Sequence, residues 1–303
     1  SKSILFTGIK KDIYTDDYSE YIQATNKTCR DIEINPKCNT YSGDQPGNRK
    51  IFLMGDSHAA HLIPLIGNIH NNYNFDIIFF TSGGTYPYQY YTNNKGKDLN
   101  QNIRISKLRD KAFDLRFEKL NKGDLILLAS SFDLHFFNTK FSFEESSRGR
   151  TYFSKNKKII SPYESFLQYL NELEVLSKKA KQKGLNIIVF SPIPIFKYFE
   201  NAPTGYKCAK EWFRPIVPDN CQENFSIEKI QILERFKSIN AGLKLLDQSN
   251  KNIYIYSAFD KLCPDQFCYS NNEVRKLFRD NNHLSREGSM SLEKHFMQFL
   301  ENN

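Results

Sequence analysis

Ile51-Phe52-Leu53-Met54-Gly55-Asp56-Ser57-His58-Ala59-Ala60-His61-Leu62-Ile63-Pro64-Leu65-Ile66 is the stretch whose reading decides the fold. Its first four residues form an apolar run with no polar alternation, as expected of a parallel strand covered on both faces. Gly55-Asp56 reads as a turn, and the residues after it read as a helix. Ser57 therefore stands at a strand-to-helix turn, with its hydroxyl exposed and helix-start N–H groups pointing at whatever it attacks. Taken alone, the same string also accommodates Asp56 or Ser57 as an ordinary N-cap.

A second string, Asp280-Asn281-Asn282-His283, places a carboxylate three residues before an imidazole, just ahead of another helix-like stretch. A serine hydroxyl is a poor nucleophile until a base removes its proton, and the base works best when a carboxylate fixes its tautomer. Ser57, His283 and Asp280 supply those three roles as the candidate catalytic residues. The competing reading of the second string is a surface histidine.

Outward from Ser57 the chain alternates apolar runs with helical patterns. The strands expected are Ile51–Met54, Phe75–Phe80, Leu125–Ala129, Asn186–Phe190 and Ile253–Tyr256. Ser161-Pro162-Tyr163-Glu164 reads as a capping box with proline at the first helical position, and Gly184 closes that helix. A second helix is expected from near Ser226, burying Ile227, Ile230, Leu233, Phe236, Ile239, Leu243 and Leu246. A third covers roughly Leu99 to Lys119, closed by Gly123. Strands alternating with helices imply an α/β fold with a five-stranded, mainly parallel sheet.

Connections entering the strands are short (71–74, 121–124, 184–185, 249–252), and those leaving them are long (81–98, 130–160, 191–224, 257–283). In an open α/β sheet all strand exits share one edge, where ligands bind. Ser57 sits at the first exit and His283 closes the last, so two distant residues converge. The exit loops are rich in aromatics: Tyr86, Tyr88, Tyr90, Tyr91, Phe132, Phe136, Phe137, Trp212 and Phe213. Such rings either stack on sugar faces or form satellite cores beneath the loops. His58 and His61, one helical turn apart, read as packing or surface residues. His70, His135 and His295 carry no partner pattern.

The 303 residues, 40% of them hydrophobic, are enough to bury a large core. No apolar run approaches the roughly 20 residues of a membrane span, and no signal peptide is visible. Six cysteines fall into local pairs in irregular segments, Cys29/Cys38, Cys208/Cys221 and Cys263/Cys268. Pairing by proximity is a preference and not a deduction. No C-x-x-C occurs, so zinc is disfavoured, no metal site is expected, and disulfides in an oxidising compartment are preferred. The net charge of +8 comes from scattered lysines without base-stacking aromatics. Nucleic acid is thereby disfavoured, and contact with anionic lipid headgroups or acidic glycans at a membrane surface stays open.

The Gly-Asp-Ser and Asp-x-x-His blocks resemble those of the SGNH/GDSL hydrolase family. The stretch Phe52–Leu62, with Leu262-Cys263…Cys268-Tyr269 and Leu277-Phe278-Arg279-Asp280-Asn281-Asn282-His283-Leu284-Ser285…Gly288, resembles more narrowly one kind of SGNH domain. That kind is fused to bacterial acyltransferase-three membrane proteins of the O-antigen acetylase type. A cysteine-bearing segment often precedes the first block there, as Cys29 and Cys38 do here. The resemblance implies a three-layer α/β/α flavodoxin-like fold, with residues 1–49 an N-terminal extension or linker packed on a catalytic domain of residues 50–303. It also implies oxyanion donors at the Ser57 N–H and at Gly84, preferred to Gly83. The expected asparagine after the third strand is missing, and Ser130 or Ser131 replaces it or neither does.

The resemblance further implies an acyl-enzyme that needs no cofactor, an acyl donor delivered by an adjoining membrane domain, and a glycan acceptor such as O-antigen or other lipopolysaccharide. The setting it implies is periplasmic or otherwise extracytoplasmic, tethered to the inner membrane. The alternative is a secreted carbohydrate or lipid esterase with water as acceptor. A vestigial binding module is disfavoured because Ser57, Asp280 and His283 are all present.

Overall fold

A computed structural model of the chain describes residues 40–41, 49–81, 91–93, 110, 113–132, 136, 151–153, 159–196, 226–270 and 277–303. The strands in chain order are β1 (Thr40–Tyr41), β2 (Arg49–Gly55), β3 (Phe75–Thr81), β4 (Tyr91–Asn93), β5 (Leu125–Ala129) and β6 (Thr151–Phe153). They continue with β7 (Ile159–Ile160), β8 (Asn186–Phe190), β9 (Ser226–Glu228), β10 (Ile253–Tyr256) and β11 (Phe267–Tyr269). The helices are α1 (Ser57–Ala60), α2 (Ile63–Tyr73), α3 (Pro162–Gln182), α4 (Lys229–Arg235), α5 (Lys237–Ser249), α6 (Phe259–Leu262), α7 (Arg286–Met290) and α8 (Glu293–Glu301).

The main sheet has the order β1-β3-β2-β5-β8-β10. Its five long strands are parallel, and one row of partners crosses them: Phe79, Leu53, Leu127, Ile188 and Tyr254. Leaving aside β1, the order is the 2-1-3-4-5 of flavodoxin-like sheets, giving the three-layer α/β/α fold. All five expected strands are present. The two-residue β1 runs antiparallel to β3 and adds a sixth strand at that edge. Strands β2 and β5 are buried almost throughout because helices cover both faces. Phe52 at the centre packs against Phe80 and Phe113, with ring centroids 6.2 and 5.8 Å away. Each such side chain contributes roughly 1.5–3 kcal/mol through burial.

Local chemistry fixes α3 as the sequence implies. Ser161 Oγ accepts from the Glu164 N–H at 3.1 Å and Glu164 Oε2 from the Ser161 N–H at 2.7 Å, with Pro162 at the first turn. Gly184, at φ +69, turns the chain toward β8. Of the helix expected over 99–119, residues 113–117 are helical and most of the rest lie outside the described residues.

The helix expected from Ser226 needs correction. Ser226–Glu228 is strand β9, paired antiparallel with β11, so the ladder takes what would have been the first helical turn. The helical residues then break at Phe236 (φ −94°, ψ 6°) into α4 and α5. The break rotates the buried stripe: Ile230 and Leu233 are 60% and 38% exposed, while Ile232 and Phe236 are buried.

Candidate active site

The first exit of the sheet is shaped by Gly55, whose φ is +147°. A Cβ there would lie 1.8 Å from the Ala129 carbonyl oxygen, so both conformation and space exclude a side chain. The chain turns into Asp56, which is fully buried and caps α1. Its Oδ1 accepts from the His58 N–H at 2.8 Å and its Oδ2 from the Ser131 N–H at 2.9 Å. A buried carboxylate is tolerable only with such donors. Asp56 therefore clamps the β2 turn to the exit of β5.

Ser57 is the first residue of α1, so its N–H has no carbonyl one turn earlier in the helix. Its hydroxyl meets His283 Nε2 at 2.7 Å. His283 Nδ1 lies 2.8 Å from Asp280 Oδ2 and 3.0 Å from Oδ1. Asp280 Oδ1 also accepts from the N–H groups of Asn282 (3.0 Å) and His283 (2.7 Å), and Arg279 Nε stands 3.6 Å from Oδ2. Partial burial raises the Asp280 pKa. The hydrogen bond and charge of His283, with the two backbone donors, outweigh that and hold it below the ordinary carboxylate value. An ionised Asp280 can only accept, so the ring proton of neutral His283 sits on Nδ1, which leaves Nε2 free to accept from the Ser57 hydroxyl.

Residues 277–285 form a tight return that carries the second motif at its tip. Phe278 and Leu284 make an antiparallel bridge, and the Arg279 N–H donates to the His283 carbonyl at 3.0 Å. The return is fixed on every side. The Leu277 and Phe278 N–H groups donate to the Ser270 carbonyl, the Phe196 N–H donates to the Asn281 carbonyl at 2.7 Å, and the Leu284 N–H donates to His61 Nδ1 at 3.3 Å. Phe196 stacks edge-on against Phe278, with ring centroids 4.9 Å apart. Gly288 lets α7 approach closely, since a Cβ there would lie 2.0 Å from the Leu277 carbonyl oxygen. Ser289 Oγ then accepts from the Leu65 N–H at 3.2 Å, in the first turn of α2.

The structure thus brings Ser57, His283 and Asp280 together. Gly83 and Gly84 lie outside the described residues. Ser130 and Ser131 are buried, and the Ser131 N–H is already committed to Asp56. His58 and His61 are packed inside, not on the surface. His295 Nδ1 meets the Tyr256 hydroxyl at 2.8 Å, and burial pushes that phenol's pKa well above the usual tyrosine value. Phe132 and Phe136 are core residues, packed with Phe166 and Tyr169. The other exit-loop rings cannot be placed: Tyr86, Tyr88, Tyr90, Phe137, Trp212, Phe213, and the side chain of Tyr91, lie outside the described residues.

Cys263 and Cys268 are disulfide-bonded. Cys29, Cys38, Cys208 and Cys221 lie outside the described residues. Among the described residues, no helix is long and apolar enough to cross a membrane. The sequence reading missed the contacts made by His61, Ser289 and Arg279. Their only signal was polar residue type within otherwise apolar or motif-bearing segments.

The family model described as "SGNH domain (fused to AT3 domains)" matches residues 21–298. No curated protein matches the chain. Among solved structures, the chain is similar to the periplasmic domain of a lipopolysaccharide acetyltransferase from Salmonella ser. Paratyphi A. That likeness has a TM-score of 0.50 and 17% identity, covering 95% of this chain and 98% of that one. It is also similar to a putative acylhydrolase from Bacteroides fragilis NCTC 9343, with a TM-score of 0.44 and 13% identity over 95% and 97% of the two chains. An acetylxylan esterase from Geobacillus stearothermophilus has a TM-score of 0.43 and 13% identity over 83% and 94%. At 17% identity the first likeness is one of fold. The match over residues 21–298 settles the family: this chain belongs to the SGNH domains of the kind fused to AT3 domains.

Proposed function

We propose that this chain is a serine-dependent O-acyltransferase domain, most simply an O-acetyltransferase, that modifies an extracytoplasmic polysaccharide such as O-antigen. The observation that carries the reading is the continuous contact from Ser57 Oγ through His283 to Asp280, at 2.7 and 2.8 Å. In this reading His283 Nε2 takes the Ser57 proton as Oγ attacks the acyl carbonyl. Asp280 holds the imidazole and stabilises the imidazolium. The Ser57 N–H, with an N–H from the Gly83-Gly84 loop, receives the developing oxyanion. His283 then gives its proton to the leaving group, and the acyl group sits on Ser57 Oγ. A sugar hydroxyl, deprotonated in turn by His283, attacks the acyl-enzyme, and the proton returns to Ser57.

Membership of the AT3-fused family supports donor delivery by an adjoining membrane domain, with residues 1–49 leading into a catalytic domain of residues 50–303. It equally supports an extracytoplasmic site for the reaction, tethered to the inner membrane. A transferase must favour a sugar hydroxyl over abundant water, and it does so by orienting the acceptor; positioning is worth effective molarities of about 10⁵ M or more. Without its donor partner the domain should act as a slow esterase. The test is to supply an activated acetyl ester with candidate envelope glycans and follow acetyl-sugar by mass spectrometry. Acetylated glycan formed in a Ser57-dependent way is the expected result. Rapid hydrolysis of a natural acetylated glycan, with no transfer to any acceptor, would instead favour the esterase alternative.

A further inference from the structure

Three imidazoles stand together behind the Ser57 hydroxyl. The His58 ring lies 5.1 Å from that of His283 and 4.9 Å from that of His61, and His61 faces His283 edge-on at 6.1 Å. His61 lies outside the Ser57–His283–Asp280 contact, yet it touches both halves of the site. Its backbone N–H donates to the carbonyl of Ser57 at 3.0 Å, and its Nδ1 accepts from the N–H of Leu284, the residue after His283.

His61 is 1% exposed. Accepting at Nδ1 places its proton on Nε2, and that buried atom has no hydrogen-bond partner among the described residues. An imidazole with an unpaired buried N–H is a costly way to fill space that a leucine or phenylalanine would fill without penalty. What the imidazole supplies, and those residues do not, is an acceptor aimed at the return that carries His283. Burial, His58, His283 and Arg279 all favour its neutral form, the one that can accept.

We infer that His61 is a positioning residue: through Nδ1 it fixes the Leu284 backbone, and so holds the His283 imidazole on the Ser57 hydroxyl. The inference rests on the triad reading above. Without that acceptor the buried Leu284 N–H must seek another partner, and the return shifts. A displacement of about 1 Å in such a constellation costs on the order of 10²-fold in rate.

The test compares His61→Asn with His61→Gln, using p-nitrophenyl acetate turnover beside the wild type and Ser57→Ala. Asn places its Oδ1 where Nδ1 stands, whereas Gln carries its amide one bond further, toward the Nε2 position. Both bury a neutral amide. We expect His61→Asn to retain kcat within about threefold and His61→Gln to lose at least about tenfold in kcat with KM little changed. Equal kcat in the two variants, or a loss confined to KM, overturns the inference. Amide hydrogen exchange in the wild-type protein supplies a reading that needs no variant: Leu284 must be protected, and fast exchange there also overturns it. If Ser57→Ala keeps full turnover, the triad reading fails. If Ser57→Ala is inactive while Asn and Gln behave alike, only the role of His61 fails.

Discussion

The backbone N–H of Leu65 donates to the hydroxyl of Ser289 at 3.2 Å, across 224 positions of sequence. Helix α2 follows the Ser57 motif and lacks a side-chain cap of its own at Leu62. Helix α7 follows the histidine motif and supplies the missing acceptor. Glu293, at the start of α8, adds a second clasp by accepting from Asn68 and Asn72 on the same face of α2. The two motifs are thus held by the helices behind them as well as by their own contact.

Ser289→Ala should cost about 1–2 kcal/mol, since it leaves the buried Leu65 N–H without its acceptor. Urea unfolding monitored by circular dichroism measures this directly. An unchanged midpoint would mean that the contact adds nothing to stability.

Ser57→Ala should remove turnover of small acetyl esters by a factor on the order of 10⁶ while the protein stays folded. Asp280→Asn should cost less, about 10⁴-fold, through a wrongly held imidazole. Steady-state kinetics at matched enzyme purity tests both. Near wild-type kcat in Ser57→Ala would remove the serine from the mechanism.

The strands, and the two motifs that bring Ser57, His283 and Asp280 into contact, were legible in the sequence because their signals are local. Ile51–Met54 and Leu125–Ala129 are unbroken apolar runs, and Ser161-Pro162-Tyr163-Glu164 carries its cap within four residues. Ser226–Glu228 was misread because its strand state depends on Phe267–Tyr269, some forty positions later, while its own residues carry a helical period. The places of His61 and Ser289 were illegible for the same reason. Each makes one hydrogen bond to a residue more than two hundred positions away, and no local pattern encodes it.

Stability should fall as pH drops below about 6.5, the ordinary value for histidine. Burial, with His58, His283 and Arg279 nearby, holds the His61 pKa well below that value. In that window the unfolded chain binds a proton that the folded one does not, and this group makes stability rise with pH by up to about 1.4 kcal/mol per unit. Above it both states are neutral and the contribution is flat. Asp280 acts elsewhere: its pKa is lowered, so its contribution is present above its ordinary value of 3.8 and is lost only as pH falls below that. Denaturant unfolding between about pH 7.5 and pH 5 should show the decline, and His61→Asn should flatten it. A variant with the wild-type slope would assign the decline to another group.

Opening the Cys263–Cys268 disulfide should lower activity more than it lowers stability. The bond closes a short loop with a sequence separation of 5, for which the chain-entropy gain is only about 2 kcal/mol. Yet β11, which carries Cys268, leads to Ser270, whose carbonyl anchors the Leu277 and Phe278 N–H groups at the base of the return that carries Asp280 and His283. The double variant Cys263→Ser/Cys268→Ser should therefore lose kcat severalfold while its unfolding midpoint moves modestly. A large midpoint shift with kcat intact would reverse that assignment.

The last parallel strand, β10, ends at Tyr256, whereas the imidazole that meets the Ser57 hydroxyl arrives only at His283. A ribosome thus delivers every strand of the sheet before it delivers the imidazole. Until then the Ser57 hydroxyl has no imidazole to meet. In the triad reading proposed above, reactivity is a late event that arrives with the final return. A chain interrupted between those two points would lack both the imidazole that faces Ser57 and the Phe278, Leu284 and Phe296 side chains of the core.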